Sequence, residues 1–256
     1  MNYLYYLREF FFPNGCGGCG TALLNPDDTY YGLCGKCRNF LKSALNEDRN
    51  CKICGKPLIT EKDLCLSCRK KTNDANSVYN DWISKIKVFF PYRGKFQKIL
   101  GAYKFKKSLG VGNFLASCLC TGLKDLCPEL LNLYTQKTAA WVPVPPKPGK
   151  IKKQGWDQIE FLAGLLEKEY KNPPKEGQLL PVMRCLKRLT SRSQKELNRE
   201  ERGLNLKGRI LCVKKPPKIA FLFDDVITTG ATLNACAKAL LEGGTEVVYG
   251  VCLFYD

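Results

Sequence analysis

The apolar run Ile219 to Phe223 is short and bounded by Lys218 on one side and Asp224-Asp225 on the other, a pattern that predicts a buried strand. Beyond it Leu233, Ala237, Leu240 and Leu241 recur at helical spacing until Gly243-Gly244, and Val247 to Phe254 forms a second apolar run. Strand, turn, helix and strand in that order predict a βαβ unit, with a parallel sheet and a right-handed crossover. Upstream, Trp141-Val142-Pro143-Val144-Pro145-Pro146 starts as a strand and leaves it at the prolines, which cannot donate to a ladder. A loop, Lys147 to Gly155, follows and carries four lysines. Asp157 to Glu169 then predicts an amphipathic helix whose apolar residues are Ile159, Phe161, Leu162, Leu165 and Leu166.

A different pattern governs the first 70 residues, where eight of the fifteen cysteines fall in four Cys-x-x-Cys pairs: Cys16/Cys19, Cys34/Cys37, Cys51/Cys54 and Cys65/Cys68. Two pairs are followed by glycine, at Gly20 and Gly55. Such a pair presents both thiolates to one tetrahedral ion, and two pairs fill a closed four-cysteine zinc site, so eight ligands make two structural sites. Sequential pairing is favoured because the glycine-bearing knuckle then comes first in each lobe, while a cross-braced pairing is the alternative. Disulfides compete with metal, but no secretory leader is expected: Met1 to Pro13 is aromatic and interrupted by Arg8-Glu9. No stretch approaches the ~20 apolar residues of a membrane span. A chain held in a reducing cytoplasm keeps its thiols. Histidine is absent, which excludes mixed Cys/His sites and histidine-based nucleophilic or acid–base schemes. Cys118, Cys120, Cys127, Cys185, Cys212, Cys236 and Cys252 lack ligand spacing and read as small core hydrophobes.

With 256 residues, 45% of them hydrophobic, the chain has room for one full core plus a small metal-stapled module. The polar stretch Lys71 to Asn80 reads as a linker, dividing a Cys-rich module (1–75) from an α/β domain (76–256).

The turn after the first-described strand carries the chemistry. Open α/β sheets place ligands at the carboxyl ends of their strands. There Thr228, Thr229, Gly230, Ala231 and Thr232 combine hydroxyls, a small backbone and a helix N-terminus, which suits a phosphate dianion. Asp224 and Asp225 offer carboxylates of the kind that accept hydrogen bonds from ribose hydroxyls. A plainer reading makes them breakers of a strand before a threonine-capped helix. The segment Lys218 to Thr232 closely resembles the phosphoribosyl pyrophosphate (PRPP) signature of type I phosphoribosyltransferases. That resemblance implies that Asp224, Asp225, Val226, Ile227, Thr228, Thr229, Gly230, Ala231 and Thr232 form the PRPP site, with Mg²⁺ bound alongside the pyrophosphate. Were the site catalytic, Asp224 and Asp225 would be its acids. A loop near Lys147 to Gly155 binds pyrophosphate in that family, making Lys147, Lys150, Lys152 and Lys153 candidates, although any one of them reads equally as solvated.

Taken together, the parts resemble the ComF family over nearly the whole chain: amino-terminal Cys-x-x-Cys pairs joined to a phosphoribosyltransferase domain. Val142-Pro143-Val144-Pro145 leads to Gln154-Gly155-Trp156-Asp157-Gln158, where the family shows Arg-Gly-Phe-Asn-Gln. Gln194, Leu197, Arg202 and Asn205 keep the family's Gln-x-x-Leu … Arg-x-x-Asn spacing. The departures at Gln154, Trp156 and Asp157 remove an arginine that could touch phosphate. The resemblance implies a type I phosphoribosyltransferase-like parallel sheet with helices on both faces, preceded by a zinc-ribbon-like domain. It also implies a role in DNA uptake and natural transformation, in the cytoplasm or peripherally at the inner membrane, with single-stranded DNA and a competence helicase as partners. The alternative is an active phosphoribosyltransferase acting on a nitrogen acceptor.

Charge adds a third constraint. The net charge is +17, and Lys85 to Gly110 holds eight basic residues and no acid, while Arg184 to Lys218 holds twelve against three. In the first segment Tyr92, Phe96, Tyr103 and Phe105 interleave with Arg93, Lys95, Lys98, Lys104 and Lys106. Cations that neutralise phosphates beside aromatic faces that stack bases suit single strands, although the same residues also read as a solvated face and a core.

Overall fold

A computed structural model describes residues 14–45, 82–126, 138–171, 180–189 and 210–256, with 51, 55, 58, 61–66 and 68–69 of the second Cys-rich segment. The linker expected at Lys71 to Asn80, Cys54, Cys127 and the Gln194, Leu197, Arg202, Asn205 segment lie outside the described residues.

Four parallel strands form the main sheet: β1 (Lys85–Pro91), β2 (Ala139–Pro143), β5 (Ile219–Ile227) and β6 (Val247–Tyr255), in the order β1-β6-β5-β2. A short antiparallel pair, β3 (Leu186–Arg188) and β4 (Ile210–Cys212), stands apart from it. The predicted strand–helix–strand unit is β5, α7 (Ala231–Glu242) and β6, with β5 and β6 adjacent and parallel. Both apolar runs read as strands because they are hydrophobic on both faces, as a sheet covered on two sides requires.

The two faces are distinguishable residue by residue. On β5, Phe221 and Phe223 enter one core with Trp141, Leu253 and Phe254, whereas Ala220 and Leu222 enter a second with Val142, Val248 and Cys252. That is the period-two alternation of a pleated strand. The first core is covered by α3 (Gly94–Lys104), α4 (Leu109–Leu126) and α6 (Gln158–Lys171), through Ile99, Leu100, Leu115, Leu119, Leu162 and Leu166. The second is covered by α7, through Leu233, Cys236, Ala237 and Leu240, and by the β3–β4 pair. Helices on both faces match the expectation from sequence.

The amino-terminal segment contributes α1 (Pro26–Tyr31) and α2 (Gly35–Leu45). Asn25 caps α1 by accepting from the Asp27 N–H at 2.9 Å, and Gly32, in the left-handed region (φ 61°), ends it. Its apolar residues Leu23, Leu33 and Leu41 join the core built on the sheet. Phe40 on α2 packs against Phe96 on α3 (centroids 4.9 Å), and Phe96 stacks on Phe90 of β1 (5.6 Å). No described helix is long and apolar enough to cross a membrane. Cys118, Cys185, Cys236 and Cys252 are buried as expected, with Cys120 and Cys212 half-buried.

Candidate functional site

β5 does not stop where the acids begin. It continues through Asp224 and Asp225 to Ile227, because the ladder with β6 runs past the acids: Asp224 lies opposite Cys252, Val226 opposite Phe254 and Ile227 opposite Tyr255. The reading of the acids as strand breakers is thereby corrected. Alternation also sends their side chains to opposite faces of the strand end. Asp225, buried, meets Lys104 of α3 at 2.9 Å and accepts a hydrogen bond from Gln158 Nε2 of α6 at 2.7 Å, both on the side of the first core. Asp224 is half-buried by residue exposure, yet its carboxyl is closely packed on the other side, within electrostatic reach of Arg188 on β3 and Cys236 on α7. Burial, then the Asp225 charge, pushes the Asp224 carboxyl up to about 7, against the pull of Lys104 and Arg188.

After the strand, Thr228 and Thr229 are exposed and Gly230 takes the left-handed conformation (φ 75°) as N-cap of α7. Thr229 Oγ1 accepts from the Ala231 N–H at 3.4 Å, and Thr232 Oγ1 accepts from Arg188 Nη2 at 3.5 Å. Arg188 Nε is buried with no hydrogen-bond partner among the described residues. Val226 and Ile227, by contrast, turn their side chains into the two cores and can offer a ligand only backbone. The turn therefore assembles hydroxyls, an arginine and a helix start at the carboxyl end of a central strand, which is an anion-binding arrangement.

The lysine loop folds into a short helix, α5 (Lys150–Gln154), between two left-handed glycines, Gly149 (φ 75°) and Gly155 (φ 74°). Lys150 is drawn inward: its Nζ is 2.6 Å from Asp157 Oδ2 and also donates to Gln158 Oε1. Asp157 in turn caps α6, accepting from the N–H groups of Ile159 (2.9 Å) and Glu160 (3.1 Å). Lys147, Lys152 and Lys153 remain exposed. A chain of contacts thus runs Lys150–Asp157 and Lys150–Gln158–Asp225–Lys104, joining the loop to the acids. Arg188, in a basic segment without any motif, is not legible in the sequence as a residue of this site, while Lys104 reads there as a strand-binding cation and Gln158 only as part of the family-like Gln154–Gln158 segment.

The first two thiol pairs come together as expected, the Cys16, Cys19, Cys34 and Cys37 sulfurs all lying within 4.8 Å of one another. Cys51, Cys65 and Cys68 form a second such group; their expected fourth member, Cys54, lies outside the described residues. The knuckles are built alike. Gly20 and Gly55 both adopt positive φ (80° and 71°), and their N–H groups donate to the carbonyls of Cys16 (2.8 Å) and Cys51 (2.9 Å). N–H donors of Gly18 and Cys34 point at the Cys16 sulfur (3.4 and 3.3 Å), and that of Cys68 at Cys65 (3.4 Å). Hydrogen bonding with the Thr21 hydroxyl and main chain holds the Cys19 thiol down at about 6, whereas burial and the neighbouring sulfurs push Cys37 well up. Four sulfurs this close, with backbone N–H groups aimed at one of them, fit a divalent cation that lets all of them be thiolates.

The basic aromatic segment divides. Tyr103 is fully buried, its hydroxyl donating to the Gln158 carbonyl, and Phe96 and Tyr92 pack against the core. Tyr103 is thereby sealed from any base, while Tyr92 and Phe96, half-buried, give part of their rings to the core. Only Phe105 of the four stands exposed, at 80%. Lys104 is likewise committed to Asp225.

The double zinc ribbon domain family matches residues 7–74 of the chain. Along nearly its whole length the chain is also similar to curated proteins. It is 27% identical over 227 residues to Competence protein ComFC of Streptococcus pneumoniae, covering 88% of each chain. It is 26% identical to Competence protein ComFC of Bacillus subtilis, covering 87% of this chain and 82% of that one, and 26% identical to Competence protein F of Haemophilus influenzae, covering 85% and 87%. The chain is thus ComFC-like, with a zinc-binding amino-terminal ribbon segment.

Proposed function

We propose that this ComFC-like protein acts in competence as a cytoplasmic DNA-handling factor, and that its Asp224–Thr232 turn binds PRPP or a related 5-phosphoribosyl ligand. The observation that carries the ligand reading is the junction of β5 and α7. Two acids at the end of a central parallel strand are followed within a few residues by hydroxyls, a left-handed glycine and a helix N-terminus, with Arg188 beside Thr232. A 5′-phosphate suits the Thr228–Thr232 start of α7, where N–H donors and the helix dipole favour an anion. Ribose hydroxyls suit the acids, and Lys104 and Gln158 hold Asp225 in place. Exposed Lys147, Lys152 and Lys153 suit pyrophosphate. Magnesium, if bound with it, would supply charge neutralisation at the pyrophosphate oxygens. In the same reading Cys16, Cys19, Cys34 and Cys37 hold one zinc ion and Cys51, Cys54, Cys65 and Cys68 a second, both structural, in a module spanning 1–75 beside a phosphoribosyltransferase-like domain spanning 76–256. Single-stranded DNA is the proposed macromolecular partner, on the charge of the 85–110 segment.

Titration of PRPP with magnesium in a calorimeter tests the pocket. Wild type should bind, and the double variant Asp224→Asn/Asp225→Asn should lose at least an order of magnitude in affinity, as removal of charged hydrogen-bond acceptors does. Absence of any heat with the wild-type protein rejects the assignment.

A further inference from the structure

A groove of about 980 Å³ runs between the first thiol knuckle and the turn that joins α3 to α4. Its floor is glycine-rich backbone of the knuckle, Gly17, Gly18 and Gly20, together with Gly101 of α3. Lys98, Phe105, Lys106 and Lys107 also line it, and none of its described lining residues is an aspartate or a glutamate. Lys106 and Phe105 are exposed, Phe105 being the most exposed aromatic ring among the described residues. Lys107 holds the turn in shape: it takes a positive φ (53°), and its Nζ donates to the Gln154 carbonyl at 3.2 Å.

Resting on the single-strand reading above, we propose that this groove is where the strand binds: two to three nucleotides along the knuckle, phosphates on Lys98, Lys106 and Lys107, and one base on Phe105. The chemistry selects the occupant. Lysines beside side-chain-free glycines suit phosphodiester oxygens, because glycine lets a strand approach closely while the knuckle N–H groups stay committed to the knuckle itself. An exposed ring of this size, with no aromatic partner among the described residues, takes an unpaired base, whose π-face a duplex keeps stacked within itself. The groove is therefore specific for single-stranded over duplex nucleic acid, and blind to sequence.

The test is fluorescence anisotropy of the full-length, zinc-loaded protein with a labelled mixed-sequence oligodeoxynucleotide of about 20 residues, titrated across a salt series. Phe105→Ala should weaken binding on the order of tenfold at fixed salt, the worth of one stacked base. Lys106→Ala/Lys107→Ala should lower the slope of log K against log salt by about 1.4, two phosphates at about 0.7 each. Lys238→Ala, on α7 across the sheet, should leave both quantities unchanged. Because Lys107 also braces the turn, Gly101→Glu supplies an independent variant. A Cβ there meets nothing nearer than Phe105 Cδ2 at 4.0 Å, so the side chain enters the groove and should repel the strand without removing a lysine. Wild type that binds while Phe105→Ala and Gly101→Glu bind equally well overturns the groove and leaves the single-strand reading standing. Wild type that binds no oligonucleotide overturns both, and equal affinity for a duplex of the same length overturns the selectivity.

Discussion

Asp224 shows how one residue can belong to both a fold and a site. Its backbone holds the β5–β6 ladder while burial of its carboxyl, and then the charge of Asp225, oppose ionisation and push the carboxyl up to about 7. An acid raised in the folded state binds more protons folded than unfolded between its unfolded value, about 4, and about 7. Stability from this group is therefore greatest below about pH 4 and is lost as pH rises through 7. Asn mimics the neutral acid and keeps an oxygen for the Asp225 N–H, which Asp224 Oδ1 now accepts at 2.8 Å. Accordingly Asp224→Asn should raise Tm by several degrees at pH 8 and leave it unchanged at pH 4, as measured by thermal melts at both values. A gain that is the same at both pH values would show that ionisation is not the cause. The same substitution removes the proposed ribose acceptor, so a more stable protein with weaker PRPP binding would be the signature of a residue held for function.

Among elements, the junction of α1 and α4 is the tightest. A Cβ on Gly110, in the first turn of α4, would come within 2.5 Å of the Gly32 nitrogen and 2.9 Å of the Thr29 carbonyl oxygen. Both groups are backbone and cannot rotate aside. Asn113 on the next turn donates to the Tyr30 carbonyl at 2.8 Å, adding a polar tie across the same contact. Gly110→Ala must therefore separate the two helices, at an overpacking cost of about 1–3 kcal/mol, and should lower Tm by about 2–12 °C. Calorimetric scanning of this variant beside Gly164→Ala, where a Cβ meets open space, separates crowding from helix propensity: Gly164→Ala should hold or raise Tm. Equal behaviour of the two would dismiss the close approach as a constraint.

At the scale of the whole molecule, the first ribbon and the α/β domain share a hydrophobic core. Cys16, Leu23, Leu33, Cys37 and Leu41 belong to the same cluster as Trp141, Phe223 and Phe254 on the sheet. The second thiol group is joined to the sheet through Tyr255, which packs against Cys51, Leu58, Cys65 and Cys68 as well as the far core. Metal at the thiols should then stabilise the α/β domain and not only its own loops, since binding to the folded form adds to the folding free energy. Stripping zinc with a chelator should collapse the near-ultraviolet dichroism of the buried aromatics together with the metal signal. Elemental analysis of the starting protein should return about two zinc ions per chain. Retention of the aromatic signal after metal loss would make the ribbons independent appendages.

What this sequence determined by itself is whatever depends on neighbours in the chain. The period-two and helical repeats marked β5, α7 and β6; the spacing of cysteines and the glycines after them marked the knuckles; and the hydroxyls and glycine from Thr228 to Thr232 marked the turn into a helix start. Those signals are local, because strand pleat, helix pitch and knuckle geometry are set by a few successive dihedrals. Only the tertiary structure decided which basic and aromatic residues are available. Tyr103 and Phe105 are two positions apart and chemically alike, yet one is sealed against Gln158 and the other stands in water. Lys104 and Lys106 are equally close, yet one is bound to Asp225, more than a hundred residues away, and the other faces a groove. Burial and ion pairing are long-range properties of packing, and no local pattern encodes them.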